Sequence, residues 1–310
     1  MLHYLRMSEQ REILSDTLFA DPVIPLEIQL AQQADLSHHM HTFIELVMVV
    51  AGSGTHIFKS ERYPITVGDV FIIPPYTPHG YADTDRLAIY NILFKDRMLE
   101  RFRTDLELVP GFHGLVTLEP YYRSVRGFSG RLILTPEQIS QATSLVARLQ
   151  HERNSDYDGR SIMVENLFIE LLLFYCRRFS EDAGPLTRVM PVARTIGYMN
   201  IHFDEALMLE QLVEISRVSK RSLIRHFKNT TGVSPMHYLQ KVRIAKAREL
   251  LKTQDRSVTQ IAMDTGFNDA AYFSLVFRKH TGTTPSEYRR NIQHGDTIGA
   301  PFPATDPGSA

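Results

Sequence analysis

One pattern occurs twice in this chain at a fixed offset. Phe227-Lys228-x-x-Thr231-Gly232-x-x-Pro235-x-x-Tyr238 returns fifty residues later as Phe277-Arg278-x-x-Thr281-Gly282-x-x-Pro285-x-x-Tyr288. Matched glycine, proline and aromatic positions at one spacing mean one structural unit used twice. This confines roughly Glu205 to Arg290 to a small all-helical arrangement of two equivalent halves.

Each half reads as two short helices joined by a tight turn. In the first, Ala206, Leu209, Leu212, Val213 and Ile215 have helical spacing. Ser216-Arg217-Val218 turns, and Ser219 is an N-cap for a helix through Leu223 and Phe227. In the second, Val258, Ile261, Ala262 and Thr265 form the first helix, Gly266-Phe267-Asn268 turns, and Asp269 caps a helix with Phe273, Val276 and Phe277. Gly232 and Gly282 stand where a helix end takes a left-handed residue. Ser234-Pro235 and Thr284-Pro285 pair a cap with a proline at the first helical position. One long helix, His237 to Lys252, joins the halves.

A helix, a tight turn and a second helix with exposed basic and polar residues is the helix-turn-helix arrangement for double-stranded DNA. The second helix of copy one offers Lys220, Arg221, Ser222, Arg225 and Lys228. Copy two offers Asn268, Ala270, Ala271, Ser274, Arg278 and Lys279. A solvated amphipathic helix is the bland reading of either one, but duplication, caps and charge together outweigh it. Met190 to His294 holds 16 Lys and Arg against nine Asp and Glu, a balance of +7, whereas the rest of the chain balances at −8. A basic module on an acidic body fits phosphate binding by the module alone.

These motifs resemble the DNA-binding domain of the AraC/XylS family of bacterial transcription regulators. Ser219-x-x-x-Leu223-x-Arg225-x-Phe227-Lys228 is similar to that family's first recognition helix. Gly266-Phe267-x-x-x-x-Tyr272-Phe273-Ser274-x-x-Phe277-Arg278 is similar to the second, and Thr284-Pro285-Ser286-Glu287-Tyr288-Arg289 to its exit. Leu275 departs from the arginine many members carry, so base reading by the second motif is left open.

With 310 residues the chain has room for a second domain. From Ile24 to about Phe94 the pattern is of strands. Phe43–Val50, Thr55–Lys59, Tyr63–Val67, Val70–Ile73 and Leu87–Phe94 are β-rich runs, with turns expected at Gly52-Ser53-Gly54 and Ser60-Glu61-Arg62. Many short strands between such turns suggest a small antiparallel barrel or jelly roll. Alternation places His39, His41, Phe43 and Glu45 on one face, and His79 arrives from another strand. Three imidazoles and a carboxylate suit a divalent metal such as Zn, Ni, Fe or Mn. A hydrogen-bonded, metal-free cup remains the alternative.

This segment resembles the cupins. His39-x-His41-x-x-x-Glu45, six residues and Gly52 form the first motif; Gly68, five residues, Pro74 and His79 form the second. Tyr76 replaces the usual Gly and Asp83 the usual Asn. A cupin-type domain followed by a double helix-turn-helix recurs among AraC-type sugar regulators. Leu87–Phe94 and His38-His39-x-His41 look like the L-rhamnose regulators of enteric bacteria. The resemblance implies a ligand-responsive activator in which His39, His41, Glu45 and His79 bind a sugar or similar effector. Promoter DNA and RNA polymerase are its implied partners. A metal-dependent cupin enzyme, an isomerase or dioxygenase fused to a DNA-binding domain, is the rival reading. Phe43, Phe58 and Tyr90 are candidate cup walls.

The expected fold is thus a two-domain α+β chain. Residues 1–95 form a cupin-like barrel with an N-terminal extension, including a short helix over Glu9–Phe19. Residues 96–180 are a helical linker and dimerisation region, 181–190 an interdomain linker, 191–294 the all-α DNA-binding domain and 295–310 a disordered tail. Thr135-Pro136-Glu137 opens one helix of the middle region. The wide stripe of the next, Ile162 to Tyr175, offers Leu167 and Leu171 as outward residues for a homodimer. Cys176 is the single cysteine and reads as a buried, inert thiol. The longest strongly apolar run, Leu171–Cys176, is too short to span a bilayer. No signal peptide is evident, so a cytoplasmic location is expected.

Overall fold

The computed structural model describes residues 11–13, 18, 19, 21, 23–123, 131–181, 189–253 and 256–293. Residues 182–188 of the expected interdomain linker and the whole expected tail lie outside the described residues. Contacts divide the chain into two units, Met1–Ala193 and Arg194–Ala310.

The first unit is built on an eight-stranded sheet. Its strands are β1 (Arg11–Ile13), β2 (Leu26–Gln32), β3 (Leu36–His41), β4 (Ile44–Phe58), β5 (Glu61–Thr66), β6 (Asp69–Ile73), β7 (His79–Phe94) and β8 (Leu132–Ile133). The order is β1-β3-β7-β4-β6-β8, with β2 also on β7 and β5 also on β4. All pairs are antiparallel except β1 with β3. The helix expected over Glu9–Phe19 is replaced at Arg11–Ile13 by this strand, which pairs Arg11 with His39 and Ile13 with His41. A free edge of β3 offers a full ladder of backbone partners, and that outweighs local helix preference.

The turn expected at Gly52-Ser53-Gly54 is a correction of larger consequence. β4 runs unbroken through it against β7, with register shifts between Val49 and Thr55. Gly52 has φ +70°, and a Cβ there would lie 2.2 Å from the Arg86 carbonyl oxygen. Only glycine fits such a bulge. Before it, Val47 and Val49 line the barrel core; after it, Phe58 does, alongside Tyr63, Ile65, Phe71, Ile73, Tyr81, Leu87 and Ile89. The inward set on β4 therefore switches from odd to even residues. The next chain reversal falls at Lys59 and Ser60, one residue earlier than expected, with Lys59 at φ 55°.

The two departures from the cupin pattern also have a backbone basis. Tyr76 and Asp83 both adopt positive φ, 57° and 52°. Glycine and asparagine reach that region most readily, so the sites keep the conformation without the usual residue. Tyr76 N–H donates to the His41 carbonyl at 2.7 Å, which ties the loop before β7 to the end of β3.

After β7, short helical turns (Arg97–Glu100, Arg103–Glu107, Pro110–Phe112), a π-helical turn (His113–Leu118) and a last turn (Glu119–Arg123) lead to β8. Helix α1 (Pro136–Arg153) opens on a capping box between Thr135 and Gln138, as the sequence predicts. Helix α2 (Arg160–Glu181) packs on α1. Leu167 and Leu171, expected to face outward, are buried in this unit, as is Cys176, whose thiol pKa burial pushes up. The exposed apolar residues of α2 are Ile162 and Met163.

Helix α3 (Val189–Ile201) spans the boundary between units and was not predicted. The second unit continues with α4 (Leu209–Ser216), α5 (Lys220–Thr231), α6 (Pro235–Thr253), α7 (Val258–Asp264), α8 (Ala270–Thr281) and α9 (Pro285–Gln293). Ala206, expected in the first helix, precedes α4. Ser219 Oγ accepts from Ser222 N–H and Asp269 Oδ1 from Tyr272 N–H, so both predicted caps form. Gly232 and Gly282 close α5 and α8 in the left-handed region, at φ 74° and 81°. The repeat is geometric as well as textual. Phe227 meets Tyr238 edge-on at 5.4 Å, and Phe277 meets Tyr288 edge-on at 5.4 Å.

Candidate ligand cup and candidate nucleic-acid interface

The predicted His/Glu set converges inside the first unit. His41 ends β3 and Glu45 follows the Thr42-Phe43 bend; His79 begins β7 directly opposite Phe58. All are buried. His41 Nε2 lies 2.9 Å from Glu45 Oε2, and His79 Nε2 lies 3.6 Å from the same oxygen. Burial opposes ionisation of Glu45, but hydrogen bonds and charge from His41 and His79, with a proton between ring and carboxylate, outweigh it and hold the carboxyl well below the usual carboxylate range.

The other ring nitrogens explain the orientation. His41 Nδ1 donates to the Phe43 carbonyl at 2.8 Å and His79 Nδ1 to the Thr77 carbonyl at 2.9 Å. A carbonyl only accepts, so the proton of each neutral ring sits on Nδ1 and Nε2 carries a lone pair. Both lone pairs then face a carboxylate that also has only lone pairs. A proton or a cation between them resolves this, and backbone-locked Nδ1–H groups are the usual support for metal-ligating imidazoles. Ligand atoms of His41, Glu45 and His79 lie within 4.8 Å of one another, so these three residues fit a divalent metal.

His39 is the exception among the four. Its ring lies against that of His79, centroids 4.1 Å apart, but its nitrogens are not part of that donor group. Burial, then the neighbouring His79, lowers its pKa to about 4. It is a wall of the cup. Phe43 stacks on His41 at 4.2 Å, and Phe58 lines the core. Tyr90, the third expected wall, follows Ile89, which faces the core; alternation turns Tyr90 to the other face of β7.

Sequence reasoning missed half of the cup. His56 is buried opposite Tyr81, with ring centroids 5.2 Å apart. Arg123, from the last turn before β8, reaches in with Nη1 3.5 Å from His56 Nδ1. Its guanidinium is clamped by Glu119, Nε to Oε1 2.8 Å, and lies over Phe71 and Phe58. Burial, then Arg123, pushes the His56 pKa well below its ordinary value, so the ring is neutral. With Nδ1 facing a donor, Nε2 holds the proton. Tyr81 keeps its own proton because burial raises its pKa. His41 Nε2, His56 Nε2, His79 Nε2, Tyr81 Oη and Asn91 Oδ1 are buried with no hydrogen-bond partner. Asn91 lies opposite the core residue Val47, hence on the same face. Such orphaned donors and acceptors cost about 1–3 kcal/mol each until something satisfies them.

In the second unit the predicted DNA-facing residues divide. Arg221, Arg225 and Lys228 are exposed along α5, whereas Lys220 Nζ pairs with Glu210 at 2.9 Å. Ser222 is half-buried and its Oγ engages Ser219. In the second motif Asn268, Ala271 and Arg278 are exposed. Ala270 is half-buried, and Ser274 turns its hydroxyl back to the Ala270 carbonyl. The exposed Lys279, also expected there, shares this surface with the exposed Tyr272 and Leu275, which were not expected to contact DNA.

A barrel with a polar, partly unsatisfied interior and a duplicated helix-turn-helix define a class of protein, the DNA-binding regulator with its own ligand-binding domain. Comparison with known proteins agrees. Residues 24–156 match the AraC-like ligand binding domain and residues 212–291 the helix-turn-helix domain. The HTH-type transcriptional activators RhaR of Salmonella dublin and Salmonella typhi are both 30% identical over 293 residues, covering 94% of this chain and all of theirs. Among solved structures, the DNA-binding domain of AdpA in complex with a target DNA is 29% identical, covering 35% of this chain and 98% of that one, with a TM-score of 0.33. The chain belongs to the AraC-type family of helix-turn-helix transcription regulators. Among the described residues no helix is long and apolar enough to cross a membrane.

Proposed function

We propose that this protein is a cytoplasmic transcription activator that responds to a neutral, hydroxyl-rich effector, a sugar or close relative, and catalyses no reaction. The observation that carries this reading is the set of unpartnered polar atoms on His41, His56, His79, Tyr81 and Asn91 in a buried cup. Two donors and three acceptors, His41 Nε2 among them, beside an Arg123 already neutralised by Glu119 suit hydroxyls rather than an anion. The names of the RhaR relatives support the sign of regulation. The cup is also a fit for a cation. His41, Glu45 and His79 would hold it, and a bound Zn, Ni, Fe or Mn would polarise effector hydroxyls as a Lewis acid. Effector binding shifts the population of chains that hold promoter DNA productively. RNA polymerase and a second copy of the chain are the further partners of this reading, with Ile162 and Met163 the available apolar residues of α2.

The test is a thermal-shift screen of the full-length protein against neutral sugars and divalent metals, repeated with Glu45→Gln. A ligand specific for the folded state raises the melting temperature. One sugar should do so in wild type and act less strongly on Glu45→Gln, while operator binding without effector is unchanged. An unchanged dose-response in Glu45→Gln would place the effector elsewhere. Conversion of the sugar by the purified protein would favour the enzyme.

A further inference from the structure

The two recognition helices can be compared residue by residue, because caps and closures coincide at an offset of fifty. Ser219 caps α5 and Asp269 caps α8; Gly232 and Gly282 end them. Position for position, Arg221 corresponds to Ala271, Ser222 to Tyr272, Arg225 to Leu275, Lys228 to Arg278 and Asn229 to Lys279. Exposure follows the same frame: Arg221, Arg225, Lys228 and Asn229 are exposed on α5, and Ala271, Leu275, Arg278 and Lys279 on α8. The chain therefore presents, at equivalent places, two arginines on one helix and two aliphatic side chains on the other.

The aliphatic pair does not stand alone. Leu275 is 65% exposed and Tyr272 50% exposed. Tyr272 is held in place by its hydroxyl, which accepts from Gln240 Nε2 at 2.9 Å. Leu275 lies three residues from Tyr272 and four from Ala271, so it neighbours both on the helix surface. The following turn of α8 carries Arg278 and Lys279. An apolar patch of this size, followed by cations on the same short helix, fits an occupant with an apolar group beside an anion. The DNA major groove offers that combination: the thymine C5-methyl is its one apolar group, and phosphates flank it.

We propose that α8 reads thymine methyl groups with Ala271, Leu275 and Tyr272, at the places where α5 uses Arg221 and Arg225 to read guanine. The operator is then asymmetric in chemistry. The half-site under α5 is specified by hydrogen-bond acceptors, and the half-site under α8 by 5-methyl groups. Arg278 and Lys279 hold phosphates and set the register of the helix without adding sequence preference. This inference rests on DNA binding by both helices.

The test uses the full-length protein and duplexes enriched from a random pool. The half-site whose preference is lost in Arg225→Ala belongs to α5, and the other to α8. Deoxyuridine then replaces thymidine in one half at a time, which removes only methyl groups. In the α8 half the substitution should weaken binding about fourfold per contacted methyl; in the α5 half it should have little effect. Leu275→Ala should abolish that difference, and Leu275→Arg should shift the selected base towards guanine. An enriched duplex that is indifferent to deoxyuridine in the α8 half, with Leu275→Ala selecting the same sequence as wild type, overturns the inference and leaves DNA binding intact. Failure to enrich any duplex would remove both.

Discussion

Arg123→Met isolates the least expected part of the cup. Arg123 and Glu119 are both buried, and their contact is bidentate, with Nη2 2.5 Å from Oε2 and Nε 2.8 Å from Oε1. Burial raises the Glu119 carboxyl pKa even with the guanidinium beside it. Arg123→Met keeps much of the volume over Phe58 and Phe71 but leaves the carboxylate uncompensated. Breaking a buried pair from one side costs about 3–5 kcal/mol. For a unit of this size that lowers the melting temperature by roughly 6–20 °C. The deficit should shrink towards acid pH. A carboxyl whose folded pKa lies above its unfolded value destabilises only where it is ionised, so stability is regained as pH falls towards the unfolded value of about 4.3. The double variant Glu119→Leu/Arg123→Met removes both charges and should lie within about 1–2 kcal/mol of wild type, or above it. Calorimetric melting of the full chain at pH 7 and pH 5 measures all four corners of the cycle. A double variant as unstable as Arg123→Met would refute the reasoning, because the loss would then come from packing and not from an unpaired charge.

Other outcomes follow from particular residues. Arg225→Ala should cost about 1–3 kcal/mol on the selected duplex and relax its sequence preference, whereas Lys228→Ala should weaken all duplexes alike and reduce the salt slope by about one, both read by titration at several salt concentrations. Gly52→Ala should cost about 1–3 kcal/mol in backbone strain alone, with the contact against the Arg86 carbonyl added, as read by denaturant unfolding. His113 is buried with its Nε2 on the Glu107 carbonyl, and burial lowers its pKa. Its stabilising contribution is therefore present above the unfolded value of about 6.5 and lost as pH falls below it. His113→Gln should flatten the acid loss of stability by up to about 1.4 kcal/mol per pH unit.

The second unit was legible because its signals are local. Caps at Ser219 and Asp269, left-handed glycines at 232 and 282, and prolines at 235 and 285 act within one helical turn of their position. Helix α3 was missed because it lies outside the repeat. In the first unit, His39, His41, Glu45 and His79 were found together because alternation and motif spacing select one face. His56 escaped because the bulge at Gly52 reverses which residues of β4 point inward, and no periodicity survives such a shift. Arg123 escaped for another reason: it enters the cup from a helical turn 67 residues from His56, a distance no local pattern can read. The outward assignment of Leu167 and Leu171 failed because a helix wider than one apolar stripe does not say which side meets its own domain.

The change of parity in β4 also sets how this strand tolerates variation. In most strands a substitution profile keeps one phase from end to end, with every second position permissive. Here the cup-facing phase inverts in mid-strand. Between Glu45 and Val49 the odd positions face the cup while Leu46 and Met48 are buried on the opposite face, so every position resists polar replacement; between His56 and Phe58 only the even positions do. A single deletion between Ser53 and Thr55 that leaves the Gly52 bulge in place would send His56 and Phe58 outward while leaving Glu45 in place. The two ends of the cup are thus joined by a length of backbone whose residue count, more than its side-chain identities, is under constraint.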